Sequence, residues 1–272
     1  MPPREAISNV EEVVVKGVVK RYGWFKLSIG ELRFRKGLNL IIGPNSSGKS
    51  TLLKIIAGFV NPNKGDVKYV LRGGTELTPY EAYGLISYVA EDVRLPNIKV
   101  WEILEYFNPG NGDVGHVANL LGLQPYLRKR YGELSAGYKK RVQIGIALLK
   151  DAEVIIMDEP FSNVDVLMIK PLKKIIQELS KNKILLITSH LDLNITPQTL
   201  TILNQGKLIY HGPAEKLLTE RHEITIKENN TIKKVNIKEL NKILNQNNTN
   251  IQILNITTKD TSEILQQTLQ QK

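Results

Sequence analysis

The stretch that decides the fold is "GLNLIIGPNSSGKSTLLKIIAG", residues 37–58. Its first six residues are almost all apolar, the pattern of a strand buried on both faces of a sheet. Residues 43–51 fit the pattern G-x-x-x-x-G-K-[ST], and the rest has the apolar spacing of a helix that stops at Gly58. A strand, a glycine-rich loop and a helix in this order predict a loop that wraps a chain of phosphates.

Each part of this loop suits a nucleotide. Glycines let backbone N–H groups turn inward, and the N-terminus of the following helix adds partial positive charge. We expect Lys49 to reach the β and γ phosphates and Ser50 to bind Mg²⁺. The residues predicted to contact ATP here are Gly43, Pro44, Asn45, Ser46, Ser47, Gly48, Lys49, Ser50 and Thr51.

A second buried strand, "EVIIMDEP" at residues 153–160, ends in acidic residues. Asp158 is placed to hold Mg²⁺ through water, and Glu159 is placed to orient or deprotonate an attacking water. Together with the glycine-rich loop, these two acids predict ATP hydrolysis.

A third feature, "LSAGYKKR" at residues 134–141, looks like a second phosphate site at the start of a helix. Ser135 is a good N-cap residue, Gly137 gives access to the backbone, and free N–H groups suit an anion. Because residues 43–51 already surround one face of a triphosphate, we expect Ser135 to act on the nucleotide of a second copy. Two chains facing head to tail would then close around ATP.

These motifs, in this order, resemble those of the nucleotide-binding subunit of an ABC transporter over residues 12–220. The resemblance implies that Tyr22 stacks on adenine, that residues 43–51 are the Walker A loop and that "VIIMDEP" is Walker B. It also implies a catalytic group, a metal-binding group, a signature acting in trans and a D-loop. The catalytic group is Glu159, His190, Lys49 and Glu91, and the metal-binding group is Ser50, Glu91 and Asp158. The signature residues are Ser135, Ala136, Gly137 and Tyr138, and the D-loop residues are Ser162 and Asp165.

The sequence departs from the family pattern at three motifs. Glu91 stands where the family usually has the Gln of the Q-loop, and it adds a charge there. Ala136 and Tyr138 replace Gly and Gln of the signature, while Ser135 and Gly137 are kept, so we expect activity to survive. In the D-loop, Val164 replaces the usual Leu.

The predicted fold is α/β. It comprises a P-loop NTPase core, an N-terminal antiparallel β subdomain and a small α-helical subdomain at about residues 93–150. Residues 1–221 would form the ATP-binding cassette. Residues 222–272 change in composition toward Asn and Gln but keep apolar periodicity, which predicts a small α+β appendage with the order ββαβα.

Composition excludes several kinds of site. The 272 residues contain no cysteine, so disulfides, thiolate metal sites and a cysteine nucleophile are excluded. The net charge of +10 is spread along the chain, so we expect solvated faces rather than a nucleic-acid partner. We see neither a signal peptide nor a membrane span, which predicts a cytoplasmic chain.

The resemblance implies an ATP-hydrolysing subunit that uses Mg²⁺ and dimerises with itself or with a second ATP-binding subunit. A separate membrane permease would hold it at the cytoplasmic face of the membrane. An alternative is a soluble ABC ATPase that acts as an assembly scaffold or on another non-membrane partner. The short appendage favours an exporter over sugar-importer types, whose C-terminal domains are larger.

Overall fold

The computed structural model describes residues 9–91, 94–109, 112–162, 164–189, 197–218, 222–228, 231–244 and 251–258. The strands are β1 (Val10–Tyr22), β2 (Phe25–Ser28), β3 (Glu31–Arg35), β4 (Gly37–Ile42), β5 (Lys64–Leu71), β6 (Glu76–Leu77), β7 (Ile86–Val89), β8 (Val154–Met157), β9 (Ile184–Thr188), β10 (Thr199–Asn204), β11 (Lys207–Pro213), β12 (His222–Glu228), β13 (Thr231–Val235) and β14 (Ile251–Thr258). The α-helices are α1 (Lys49–Ile56), α2 (Val100–Tyr106), α3 (Val114–Leu120), α4 (Ala136–Leu149), α5 (Val166–Ser180), α6 (Ala214–Leu218) and α7 (Ile237–Leu244).

The centre of the molecule is a run of parallel strands in the order β10-β4-β9-β8-β7. Strands β4, β8 and β9 are nearly continuous apolar runs, as strands buried on both faces of a sheet are, and they lie side by side in this run. Parallel strands end at the same edge of a sheet, so the segments that follow β4, β7 and β8 meet there. This edge brings the glycine-rich loop together with Glu91, Asp158 and Glu159.

An antiparallel region continues the same sheet. Strand β1 pairs with β2, β3 and β5, and β5 pairs with β6. A parallel pairing of β11 with β2 joins this region to the parallel strands. The predicted N-terminal antiparallel subdomain is therefore confirmed as part of one large sheet. The near-alternating pattern of residues 27–35 predicts a single strand, but the structure has two strands there, β2 and β3, separated by Ile29 and Gly30.

Hydrophobic cores cover both faces of the parallel strands. Along β8, Val154 and Ile156 face one core, while Ile155 and Met157 face the other, because successive strand side chains point to opposite faces. Helix α1 packs in the first core and α5 in the second. This arrangement explains why β8 is a continuous apolar run.

The predicted helical subdomain contains α2, α3 and the longer α4, which begins directly after Ser135. Its apolar residues, including Ile103, Leu104, Leu121 and Val142, join the second core.

Across the part of the chain that the structure describes, no helix is both long and apolar enough to cross a membrane.

The C-terminal region begins as predicted, with two strands, a helix and a third strand. Strands β13, β12 and β14 form a separate antiparallel sheet, and Asn236 and Glu239 cap α7 reciprocally at 2.9 Å each. The final predicted helix lies outside the described residues. Ile226, Leu240 and Ile253 belong to the same core as α5, and the buried Asn204 amide donates to the Ile253 carbonyl at 2.9 Å.

This shared core predicts that the appendage contributes to the stability of the whole chain. Leu240 is fully buried in α7, so Leu240→Ala should lower the free energy of unfolding by about 2–5 kcal/mol. Ile232, 63% exposed on β13, is the matched control and should change it by less than about 0.5 kcal/mol on substitution with Ala. Urea unfolding followed by circular dichroism measures both. Two separate transitions in the unmodified protein would contradict a shared core.

Candidate functional site

The glycine-rich loop leaves β4 at the carboxyl edge of the sheet and enters α1 at Lys49. A Cβ atom on Gly43 would lie 2.2 Å from the Leu203 carbonyl oxygen, so a side chain there would force the loop away from the sheet. Gly48 has a φ of 104°, a conformation that favours glycine. Gly43 is thus required because the loop passes close to the Leu203 carbonyl, and Gly48 is required because of its backbone conformation.

Lys49 lies at the centre of the loop and is 7% exposed. Its ammonium donates to the carbonyl oxygens of Gly43 at 2.9 Å and Pro44 at 3.3 Å. Burial lowers the pKa of Lys49, and the carboxylates of Glu159, Asp158 and Glu91 oppose that shift. The negative charges of three carboxylates, from residues that follow β7 and β8, therefore favour the protonated form of Lys49.

Asp158 follows β8 and is 2% exposed. One carboxylate oxygen accepts a hydrogen bond from the Thr188 hydroxyl at 2.7 Å, and the other accepts one from the Tyr88 hydroxyl at 3.4 Å. Burial, which has the larger effect, and the negative charge of Asp158 both raise the pKa of Tyr88. This phenol therefore stays protonated and acts as a donor. The neighbouring strands β9 and β7 thus fix the orientation of the carboxylate.

Glu159 adopts a left-handed backbone conformation with a φ of 47°, which is costly for a residue other than glycine. The turn is secured on both sides. The Glu159 N–H donates to the Thr188 hydroxyl at 2.9 Å, and its carbonyl accepts from the Ser162 hydroxyl at 2.9 Å. As a result, Glu159 lines the cleft above the loop.

The cleft has a volume of about 860 Å³, within the range of small-molecule sites. Among the described residues, its walls include Trp24, Phe25, Glu91, Glu159, Phe161, Ser162 and the loop residues Asn45, Ser46, Ser47, Gly48, Lys49, Ser50 and Thr51. The Ser50 hydroxyl and the carboxylates of Glu91 and Asp158 are hard oxygen donors of the kind Mg²⁺ prefers. The residues present therefore fit Mg²⁺ bound together with phosphate oxygens.

The signature residues lie elsewhere. Ser135 caps α4, its hydroxyl accepting from the Tyr138 N–H at 3.4 Å. In the described part of the chain, none of Ser135, Ala136, Gly137 and Tyr138 lines the cleft. One chain thus presents the cleft beside the glycine-rich loop and, apart from it, an exposed helix start.

Tyr138, which replaces the usual Gln, belongs to a stack of side chains. Its ring lies 3.9 Å from that of Tyr126, centroid to centroid, and 4.3 Å from the Arg141 guanidinium. Arg141 in turn bonds Asp165 at 2.8 Å. This stack connects the signature helix α4 to the predicted D-loop. His190, the predicted switch histidine, lies outside the described residues.

A family model described as "ABC transporter" matches residues 31–162, which include the loop, the signature helix and the two acids after β8. The chain carries an ABC transporter nucleotide-binding domain.

Curated relatives agree with this assignment. The molybdenum import ATP-binding protein ModC of Mesorhizobium japonicum is 33% identical over 209 residues, covering 69% of this chain and 55% of ModC. The sn-glycerol-3-phosphate import ATP-binding protein UgpC 1 of Rhizobium johnstonii is 27% identical over 228 residues, covering 76% and 62%. The chain thus spans somewhat more than half the length of these relatives.

Among solved structures, a nucleotide-free ATP-binding cassette from an ABC transporter matches with a TM-score of 0.63 at 26% identity. The match covers 76% of this chain and 92% of that cassette. The predicted α/β P-loop fold of the nucleotide-binding domain is confirmed.

The structure adds residues that the sequence interpretation missed. Trp24, 92% exposed, lines the cleft, whereas Tyr22 does not line it and instead has the Lys20 ammonium 5.2 Å from its ring centroid. Thr188 bonds the Asp158 carboxylate and the Glu159 N–H, and Tyr88 bonds the Asp158 carboxylate. Trp24 could have been found from its position two residues after Tyr22, but no local pattern marks Thr188 or Tyr88.

Proposed function

We propose that the chain binds ATP with Mg²⁺ and hydrolyses it to ADP and phosphate. The observation that carries this proposal is the convergence of the Lys49 ammonium with the carboxylates of Glu159, Asp158 and Glu91 at one edge of the sheet. A glycine-rich loop beside paired acids is the arrangement that positions a triphosphate for attack by water.

Each group would then have a role in the reaction. Lys49 neutralises charge on the β and γ phosphates, and N–H groups at the start of α1 hold the same oxygens. Glu159 takes the proton of the attacking water. Asp158, held by Thr188 and Tyr88, together with Ser50 and Glu91, would hold Mg²⁺. When bound, Mg²⁺ stabilises the charge that develops on the phosphate oxygens.

We further propose that the domain works as a dimer in which Ser135 serves the partner's nucleotide. The separation of the exposed Ser135 cap from the cleft of its own chain supports this arrangement. The partner can be a second copy of this chain or a related ATP-binding subunit.

The adenine-stacking residue can be tested directly. The resemblance assigns this role to Tyr22, and the lining of the cleft supports Trp24. Because an aromatic stack contributes about 0.5–1.5 kcal/mol, Trp24→Ala should weaken ATP binding about 2- to 12-fold. Tyr22→Ala should weaken it less, and Tyr106→Ala, at an 80% exposed site on α2, should not change it. Isothermal titration calorimetry measures all three. A loss with Tyr22→Ala alone would return the role to Tyr22.

We propose that the hydrolysis drives transport through a separate membrane permease at the cytoplasmic face of the membrane. Support comes from the relatives, both of which are named as import ATP-binding proteins. Those names support import, so we propose import in place of the export that the short appendage suggested.

Copurification tests the transporter role. The tagged chain, extracted from membranes of its own cells in mild detergent, should bring with it a permease subunit that mass spectrometry identifies. Recovery of soluble partners alone would favour the scaffold alternative. The proposed ATP hydrolysis is measured separately, on the purified chain.

A further inference from the structure

Two lysines join helix α4 to strand β7 and its flanking residues: Lys140, in the second turn of the helix, and Lys150, its C-cap residue. The Lys140 ammonium donates to the carbonyl oxygens of Ala90 and Glu91, both at 2.7 Å. At the opposite end, the Lys150 ammonium donates to the carbonyl oxygens of Tyr83, at 3.2 Å, and Ile86. The same chemistry thus occurs twice between one helix and one strand.

The spacing of these contacts shows that the helix and the strand run antiparallel. Ten positions along the chain separate the two lysines, or about 15 Å at the rise of an α-helix. Four residues separate Ile86 from Ala90, or about 13 Å in a strand. The lengths match, so α4 lies along β7 with its signature end beside the catalytic edge of the sheet. Lys150 binds the end of β7 that points away from that edge.

Lys140 is 3% exposed, one of the most buried charged side chains in the described residues. Burying an ammonium is costly unless it is paired, and hydrogen bonds to a charged donor are stronger than neutral ones. Its carbonyl partners include the backbone of Glu91 itself, whose side chain lines the cleft. Lys140 is also within two turns of Ser135, the cap of the same helix.

We propose that Lys140 is a positioning residue that holds Glu91 in register with the signature helix. Because of this contact, Ser135 reaches a partner's nucleotide at the same time as Glu91 reaches the Mg²⁺–ATP of its own cleft. The inference rests on the proposed ATP hydrolysis. It extends that function to a residue outside the motifs that contact the nucleotide.

The test compares Lys140→Met with Lys150→Met in the full chain. Both variants remove an ammonium that binds two backbone carbonyls, so both should lower the melting temperature. Lys140→Met should also lower kcat at least about tenfold, because small misplacements in an active site slow the reaction that strongly. Its KM for ATP should stay within twofold of that of the unmodified chain. Lys150→Met should leave kcat within twofold. Lys140→Arg keeps the charge and donors, and should recover most of the lost rate.

Two measurements separate positioning from general stability. The Mg²⁺-dependent increase in melting temperature with ATP should shrink in Lys140→Met and remain in Lys150→Met. In addition, Lys140→Met should lower kcat little further in a Glu91→Ala background, because the two residues would act through one contact. If Lys140→Met does not fold, Lys140→Gln, which keeps one donor, is measured in the same way.

Several outcomes overturn the inference. Equal effects of the Lys140 and Lys150 variants on kcat would make both contacts merely structural. Fully multiplicative effects of Lys140→Met and Glu91→Ala would show that Lys140 does not act through Glu91. If the unmodified chain binds but does not hydrolyse ATP, the proposed function fails, and this inference fails with it. Normal hydrolysis with an unaffected Lys140→Met overturns this inference alone.

Discussion

Glu159→Gln is expected to lower the rate of ATP hydrolysis by about 10²–10⁴-fold, the usual contribution of a general base, while ATP binding persists. The amide has the size of the carboxylate but cannot take a proton from water. The turn that carries residue 159 depends on the backbone bonds to Thr188 and Ser162, which the substitution leaves in place. We therefore expect the variant to accumulate in an ATP-bound dimer.

Phosphate release measures the rate, calorimetry measures ATP affinity, and light scattering coupled to gel filtration with Mg²⁺–ATP measures the dimer. Glu178→Gln is the matched control, because Glu178 is 70% exposed and pairs at the surface with Lys181. It should change none of the three readouts. Near-normal turnover in Glu159→Gln would remove Glu159 as the base.

Ser135→Arg is expected to abolish hydrolysis yet leave the ATP affinity of the monomer nearly unchanged. Lys49, Ser50 and the other loop residues lie in the cleft of their own chain, whereas Ser135 lies at an exposed helix start apart from it. An arginine there would block the N-terminus of α4 and the approach of a second subunit. Removing a single donor to a developing charge already costs about 10²–10³-fold in rate.

Mixing two inactive variants tests action in trans more sharply. In a mixed dimer of Ser135→Arg and Lys49→Ala chains, one site combines an intact Lys49 with an intact Ser135, and the other carries both defects. The intact site should recover ATP-dependent closure, so nucleotide trapping should approach one site per mixed dimer. Ser180→Arg, near the C-terminal end of α5, is the control and should behave as the unmodified chain. A loss of monomer affinity in Ser135→Arg as large as in Lys49→Ala would show that Ser135 acts in cis.

The sequence by itself determined the nucleotide loop and the sheet around it. The run at residues 37–58 encodes strand, loop and helix locally, because glycine conformations and apolar periodicity depend on near neighbours. For the same reason the apolar runs of β8 and β9, the β10–β11 hairpin around Asn204 and Gly206, and helix α4 can each be predicted from their own stretch of sequence. Strand β5, with its polar start at Lys64 and Gly65, was missed because its pairing with β1 overrides its weak local pattern.

Tertiary structure alone decided which side chains hold the two acids that follow β8. Thr188 reaches Asp158 and the Glu159 N–H because β8 and β9 pair in parallel with Met157 opposite Ile187. Lys140 reaches Glu91 because α4 lies antiparallel to β7. These three contacts join residues 30, 29 and 49 positions apart. Strand register and helix packing set such distances, and both arise from burial across the whole core, which no short stretch of sequence specifies.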